Sequence, residues 1–280
     1  DEDSRAQAEE SFRRPAIFHK VCARELAARV SEARTLLGTS PADSVALLSS
    51  ACADDPAEPT FRLDLAEALV AAGHGDQALE TLDDSAASGT LTRPLHVRAA
   101  NLEAGIYFRA GRLPEARAAL ERGLRDATED GDSRTIQAKL RAIGDERAQQ
   151  LLGRVLFGDE RGRALEAGLV VYLVTQFAAD FPDEALGPYL IGRQLANRDA
   201  KLALPYLAAA CPFVAPPEAI PLDALFFKEC RRLLGESAYL AGDSSTARAA
   251  FAWLSEESDS EADRLRARDY LQRIAWKDSH

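Results

Sequence analysis

Several kinds of residue are scarce in this chain of 280 residues. It contains no methionine, four cysteines and only 7% aromatic residues, and its 34 basic residues are outnumbered by 45 acidic ones. Because the first residue is not methionine, we expect the chain to begin inside a longer precursor, either after removal of a leader or anchor or as a segment of a larger protein. The net charge of −11 argues against nucleic acid as the main partner, because phosphate binding needs a concentrated basic surface.

A long hydrophobic run is also absent. The most apolar stretch, residues 168–179 (GLVVYLVTQFAA), is interrupted by Thr175 and Gln176 and is shorter than the roughly 20 residues that a membrane-spanning helix needs. We therefore predict a buried helix at this place. We expect a soluble protein, located in the cytoplasm or exported after removal of an N-terminal segment, and the sequence does not choose between these compartments.

The motifs of common catalytic sites are missing as well. The chain has no Walker loop and no GxGxxG, HExxH, GxSxG or CxxC motif. Its four histidines are scattered, and no pair of carboxylates stands out for acid–base catalysis. We therefore predict that the protein is not an enzyme and has no catalytic residue, no metal site and no cofactor.

A repeated pattern of small, turn-forming and bulky residues dominates what is present. Its four copies lie at 65–86, 104–124, 191–210 and 234–254. Gly73, Gly111 and Gly242 stand where one helix would end, because glycine accepts the positive φ of a helix C-terminus. Small residues in both helices of a copy would let two antiparallel helices approach closely. Each such hairpin leaves an apolar face that only a neighbouring hairpin can cover.

This pattern resembles the tetratricopeptide repeat (TPR) family. The runs LLGESAYLAGDSSTARAAFAWL, LAEALVAAGHGDQALETL and EAGIYFRAGRLPEARAAL carry the resemblance, although the copies are spaced further apart than the 34 residues typical of that family. It implies an all-α fold, a TPR-like right-handed α-solenoid of about six helical hairpins with a C-terminal capping helix. We expect residues 1–14 to form a polar N-terminal segment and residues 15–280 a single repeat domain, with 126–146 as the place for a hinge.

Fainter signals predict further elements outside the four copies. Pro41 after Thr39 and Ser40 indicates the start of a helix, and the four prolines of 211–221 exclude a continuous helix. The predicted elements are helices at 16–37 and 41–53, a loop at 129–135, a hairpin at 146–180 turning near Gly158, a loop at 211–221 and a helix at 262–276. The apolar face of this last helix is expected to carry Leu265, Tyr270, Leu271, Ile274 and Trp276.

The resemblance also implies where a partner would bind. In TPR-like superhelices the first helix of each hairpin lines the concave face. Carried over to this chain, the positions on that face are Arg98, Asn101, Phe108, Arg109, Tyr189, Arg193, Asn197, Arg232, Glu236 and Tyr239. Guanidinium groups suit carboxylates, so an acidic or mixed peptide would fit. The alternative, that these arginines are solvated or paired with neighbouring glutamates, stays open.

The cysteines allow two disulfides. Cys22 and Cys52 lie at similar distances from the turn of the first predicted hairpin, so they could face each other across its two antiparallel helices. Cys211 and Cys230 flank the proline-rich segment. In each case the alternative is a pair of small buried hydrophobic residues.

The function predicted from the sequence is a non-catalytic scaffold or adaptor that binds a protein or peptide partner through the concave face. The alternative is a regulatory or sensor segment of a larger multidomain or membrane-anchored protein.

Overall fold

The structure is a computed structural model that describes residues 23–213 and 222–279. These residues contain helices and no β-strand, which confirms the predicted all-α class. The helices are α1 (23–36), α2 (Pro41–Asp54), α3 (Pro59–Ala71), α4 (Gly75–Ala87), α5 (Arg93–Arg109), α6 (Leu113–Asp126), α7 (Asp130–Ala142), α8 (146–157, π-helical at Gln149–Gly153), α9 (Ala167–Asp180), α10 (Leu186–Ala196), α11 (Ala200–Ala210), α12 (Ala224–Ala241), α13 (Ser244–Glu257) and α14 (Glu261–Ser279).

The chain forms two compact units. Among the described residues, unit 1 consists of 23–128 and Phe157–Arg163, and unit 2 consists of Glu129–Leu156, 164–213 and 222–279. The boundary after Thr128 lies inside the segment 126–146 in which we placed a hinge. A single continuous array over 15–280 stays a prediction, and the polar segment 1–14 lies outside the described residues.

Unit 1 contains three helical hairpins, α1/α2, α3/α4 and α5/α6. Gly73 and Gly111 end their helices with φ of 87° and 73°, as their positions in the repeat predict. Ala66 and Ala78 are fully buried where α3 meets α4. These small residues allow the helices to pack closely, and Leu82 fills the space beside them.

Unit 2 contains the hairpins α8/α9, α10/α11 and α12/α13, followed by α14. Gly242 ends α12 with φ 86°, and the backbone N–H of Asp243 returns to the carbonyl of Ala238. Tyr189, Leu207 and Leu234 belong to the same buried cluster. The prediction of TPR-like hairpins that pack in consecutive pairs, with a helix at the C-terminal end, is confirmed.

Two local predictions need correction. The predicted loop at 129–135 is wrong, because α7 begins at Asp130. Asp130 and Asp132 favour a helix N-terminus through the helix dipole, and Ile136 anchors the helix because it is fully buried. Polar residues of a first turn therefore looked like a loop.

The second correction concerns α14. Of the apolar face that we predicted, Ile274 is fully buried, and Tyr270 and Leu271 pack against the same core cluster. Leu265 and Trp276 are instead 57% and 65% exposed, because α14 packs mainly on α13 and only a narrow stripe of its surface is covered. Residues 16–22 of the helix predicted at 16–37, and most of the predicted loop at 211–221, lie outside the described residues.

Candidate protein-binding surfaces

In unit 1, the first helices of the three hairpins are joined by charged side chains. Asp64 of α3 is only 4% exposed and accepts hydrogen bonds from Arg34 of α1 (Nε–Oδ2, 2.9 Å) and from Arg98 of α5 (Nη2–Oδ1, 2.6 Å). Arg98 also donates to Glu67 at 2.8 Å. Burial alone would lower the pKa of Arg98, but its hydrogen bonds to Glu67 and Asp64 raise it above the ordinary value. Arg98 is thus already paired with two carboxylates.

The C-terminal end of α5 is covered by a segment of the same unit. The ring of Phe108 stacks on Phe157 with a centroid distance of 4.3 Å. Arg109 donates to the carbonyl oxygen of Phe157 at 3.2 Å, and burial lowers the pKa of Arg109 although the nearby Asp159 acts in the opposite direction. Segment 157–163 therefore occupies positions at which we expected a partner.

In unit 2, three arginines surround one carboxylate. Glu229 of α12 lies 2.7 Å from the Nε of Arg134, 3.6 Å from the Nε of Arg193 and 3.7 Å from an Nη of Arg232. Arg232 also donates to Glu236 at 2.9 Å.

Arg266 of α14 adds a fourth guanidinium group, 4.0 Å from Glu236. We call these four arginines, together with Glu229 and Glu236, the arginine cluster. Four guanidinium groups and two carboxylates give it a formal charge of +2. Arg193 and Arg266 are its most exposed members, with 53% and 52% of their side chains accessible.

Tyr189 lies beneath the arginine cluster rather than on its surface. Its side chain is fully buried, its hydroxyl donates to Glu229 at 2.7 Å, and its ring contacts that of Phe226 edge-on. Burial and the hydrogen bond to Glu229 both raise the pKa of Tyr189. Tyr189 therefore positions Glu229 and is left out of the proposed surface.

The remaining predicted residues lie in different surroundings. Asn101 donates from its amide to the carbonyl of Val97. Asn197 is exposed at the end of α10. The ring of Tyr239 packs edge-on against Tyr270 at 5.2 Å. The cluster in unit 2 thus unites only Arg193, Arg232 and Glu236 of the residues we placed on the surface.

Several residues of these sites were missed, among them Arg34, Asp64, Arg134 and Arg266. Arg134 was placed in a loop, and Arg266 stands in a helix to which no repeat position was assigned. The missed partner of Arg98 is Asp64, whose sequence separation from it is 34 residues. Because this is about one repeat, equal positions of successive first helices were the available signal.

Of the two disulfides that we considered, the structure contains the one between Cys211 and Cys230. Cys211 and Cys230 are joined by a disulfide between the end of α11 and the middle of α12. Cys52 is half-buried, and burial raises the pKa of its thiol. Cys22 lies outside the described residues, so its pairing with Cys52 stays a prediction. Within 23–213 and 222–279, no group of three metal-binding side chains comes together.

None of the helices in the described part of the chain combines the length and the apolar character needed to cross a membrane.

Comparison with known proteins agrees with the repeat pattern. Residues 39–95 match the tetratricopeptide repeat family. This part of the chain is therefore TPR-like, and a fold of this kind generally serves protein–protein interaction. No curated protein matches the sequence.

Two solved structures are similar over most of the chain. One is the TPR domain of P58(IPK), with 15% identity, a TM-score of 0.35 and coverage of 91% of this chain; the chain spans 66% of the length of that domain. The other is a tetratricopeptide repeat protein from Parabacteroides merdae ATCC 43184, with 12% identity, a TM-score of 0.35 and coverage of 90% of this chain and 99% of the other.

Proposed function

We propose that the chain is a non-catalytic protein-interaction module that binds an acidic segment of another protein at the arginine cluster of unit 2. The observation that carries this proposal is the surplus of positive charge in the cluster, within a chain of net charge −11. Because the chain as a whole is negatively charged, a local excess of guanidinium groups favours binding of an acidic segment at this place.

The geometry of the arginine cluster leaves N–H donors of two arginines available for a carboxylate of a partner. Arg193 and Arg266 contact their carboxylates only at 3.6 and 4.0 Å, which is longer than a good hydrogen bond. Both side chains are half-exposed and keep donors for a carboxylate from outside. Arg134 is different, because it is mostly buried and pairs with Glu229 at 2.7 Å. It holds Glu229 in place and with it the arrangement of the cluster.

The test uses a short fluorescein-labelled peptide of alternating glutamate and leucine, with a glutamine–leucine peptide for comparison. Fluorescence anisotropy measures binding to the native chain and to the Arg193→Glu/Arg266→Glu variant. The matched control is Lys201→Glu/Arg268→Glu, which changes the net charge equally at exposed residues of α11 and α14 outside the cluster.

We expect the acidic peptide to bind the native chain and the control alike. Charge reversal in the cluster should weaken binding about tenfold, since two exposed ion pairs of up to ~1 kcal/mol each are lost. Added salt should weaken native binding. Equal binding of the acidic and the neutral peptide, or equal loss in both variants, would contradict the proposed surface.

A second candidate function is a regulatory segment that binds another part of its own polypeptide. Segment 157–163 favours it, because it covers Phe108 and Arg109 at positions where a partner would bind a TPR-like hairpin. The test is to read the complete gene and to measure whether any flanking domain binds the chain when added separately. Binding of a flanking domain would support this second function. If no flanking domain binds, the result favours the first proposal, in which the partner is another protein.

A further inference from the structure

A cavity of about 460 Å³ lies in unit 2, apart from the arginine cluster. Its wall is formed by the ends of α10 and α11 and by α12 and α13. Aromatic side chains form much of the lining, which includes Phe213, Phe227, Trp253 and the prolines Pro182, Pro188 and Pro212. The volume falls within the range of pockets that bind small molecules.

A buried guanidinium group lines this cavity. Arg231 is only 3% exposed, and its Nη2 donates to the carbonyl oxygen of Pro212 at 2.8 Å. In the described part of the chain, its Nε and Nη1 atoms have no hydrogen-bond partner. These two nitrogens carry three of the five N–H bonds of the side chain. Burial of a charged group without partners is strongly unfavourable.

Three aromatic rings stabilise the positive charge of Arg231 only in part. The guanidinium carbon of Arg231 lies 4.0 Å from the ring centre of Phe213, 4.9 Å from that of Phe227 and 5.7 Å from that of Trp253. Rings stabilise a cation through their faces but accept no conventional N–H bonds in the plane of the guanidinium group. Burial lowers the pKa of Arg231.

The acidic residues that line the same cavity do not accept hydrogen bonds from the unpaired nitrogens of Arg231. The carboxylate of Glu184 accepts from the Nε of Arg141 at 2.9 Å, and Asp183 is exposed. Neither is a hydrogen-bond partner of the Nε or Nη1 atoms of Arg231. The cavity thus combines an apolar, aromatic wall with unused donors of a fixed positive charge.

We propose that this cavity binds a carboxylate carried on an apolar group, with the carboxylate on Arg231 and the apolar part against Phe227 and Trp253. The carboxylate supplies the acceptors that the Nε and Nη1 atoms lack. The source is a free organic acid or the C-terminus of a peptide with an apolar last residue, and both present the same chemistry.

The disulfide contributes to the site. Cys211 precedes Pro212 and Phe213, and Cys230 precedes Arg231, so the bond between the two cysteines holds both walls together. Reduction of this bond is expected to weaken ligand binding several-fold, because Phe213 and the carbonyl of Pro212 are no longer fixed beside Arg231.

Binding is measured by the fluorescence of Trp253 in a Trp276→Phe background, which leaves one tryptophan. The probes are 3-phenylpropionate, its neutral amide, inorganic phosphate, and an acetylated tripeptide ending in phenylalanine with a free or amidated C-terminus. We expect the acid to bind 10- to 100-fold more tightly than the amide, as a charge-assisted hydrogen bond to a buried guanidinium group predicts. Preference for the free tripeptide over the free acid identifies the peptide source, and the reverse identifies the small acid.

The Arg231→Met variant removes the donors and keeps an apolar side chain of similar length. It should lose the preference for the acid and be at least as stable as the native chain, because an unpaired buried charge disappears. Arg268→Met, at an exposed position of α14, should keep native binding. The proposal would be overturned if the native protein bound 3-phenylpropionate and its amide equally, or if it bound inorganic phosphate as tightly as 3-phenylpropionate. It would also be overturned if the fluorescence of Trp253 responded to none of the probes. The comparison of acid with amide uses native Arg231 and does not depend on the folding of a variant.

Discussion

The close approach of α10 and α11 is tested by adding one methyl group. Gly192 lies in α10, and a Cβ atom there would be 2.6 Å from the Cγ and 3.2 Å from the backbone nitrogen of Leu207. Leu207 is fully buried in the core of unit 2. The branch point of a buried side chain has little freedom to move, so Gly192→Ala must separate the two helices or displace Leu207.

The expected magnitude follows from two opposing effects. Overpacking of a core costs about 1–3 kcal/mol, and this site lies at the upper end because backbone and branch point are both close. Replacement of glycine by alanine within a helix gains about 1 kcal/mol. We therefore expect Gly192→Ala to lower the free energy of unfolding by about 2 kcal/mol, which corresponds to a decrease in Tm of about 3–4 °C if all 280 residues unfold together.

The assay is urea unfolding followed by circular dichroism. The control is Gly168→Ala, because it lies in a helix of the same unit and a Cβ there meets nothing within 4 Å. Without a steric cost, its stability should equal the native value or exceed it by up to about 1 kcal/mol. The reasoning is refuted if Gly192→Ala is as stable as the control, since the two helices would then not be in close contact at this residue.

Three further predictions concern single interactions. Asp64→Ala should lower the stability by about 1–2 kcal/mol in urea unfolding, because Arg34 and Arg98 lose a buried acceptor, while Arg34 stays in contact with solvent and Arg98 keeps Glu67; a loss below about 0.5 kcal/mol would show that the network is solvated. Asp243 caps α13, and its hydrogen bonds with Thr246 hold the pKa of Asp243 below the usual range. Asp243→Ala should therefore cost about 1 kcal/mol at pH 7. This deficit should shrink only as the pH falls below about 4, since the native carboxylate must then be protonated, and a deficit that already shrinks at pH 6 would be inconsistent with that pKa. Reduction of the disulfide Cys211–Cys230 should lower the free energy of unfolding by about 3 kcal/mol. The stability of a variant with serine at both positions should not change when the reductant is added.

Local rules were sufficient for the hairpins. Gly73, Gly111 and Gly242 were predicted from their spacing, since a helix C-terminus with positive φ favours glycine over all other residues. The buried small residues followed from the same pattern. Helix α7 was missed because acidic residues at a helix N-terminus and polar residues of a loop have the same composition.

The sites were less predictable, because they depend on contacts between distant residues. Arg98 lies on α5, as predicted, but its pairing with Asp64 joins two hairpins and is indicated only by their separation of 34 residues, about one repeat. Tyr189 was expected at the surface, whereas the packing of α10 buries it beneath Glu229. The charge at Arg231 did leave a signal: Phe227 and Leu234, four residues before it and three after it, place it on the apolar face of α12.

The central claim is that the arginine cluster selects an acidic partner. The most direct measurement is capture from native lysate with the immobilised chain, its Arg193→Glu/Arg266→Glu variant and the Lys201→Glu/Arg268→Glu control, followed by mass spectrometry. We predict that a set of proteins with acidic segments is retained by the native chain and the control and is lost with the cluster variant. Retention of the same proteins by all three would contradict the claim.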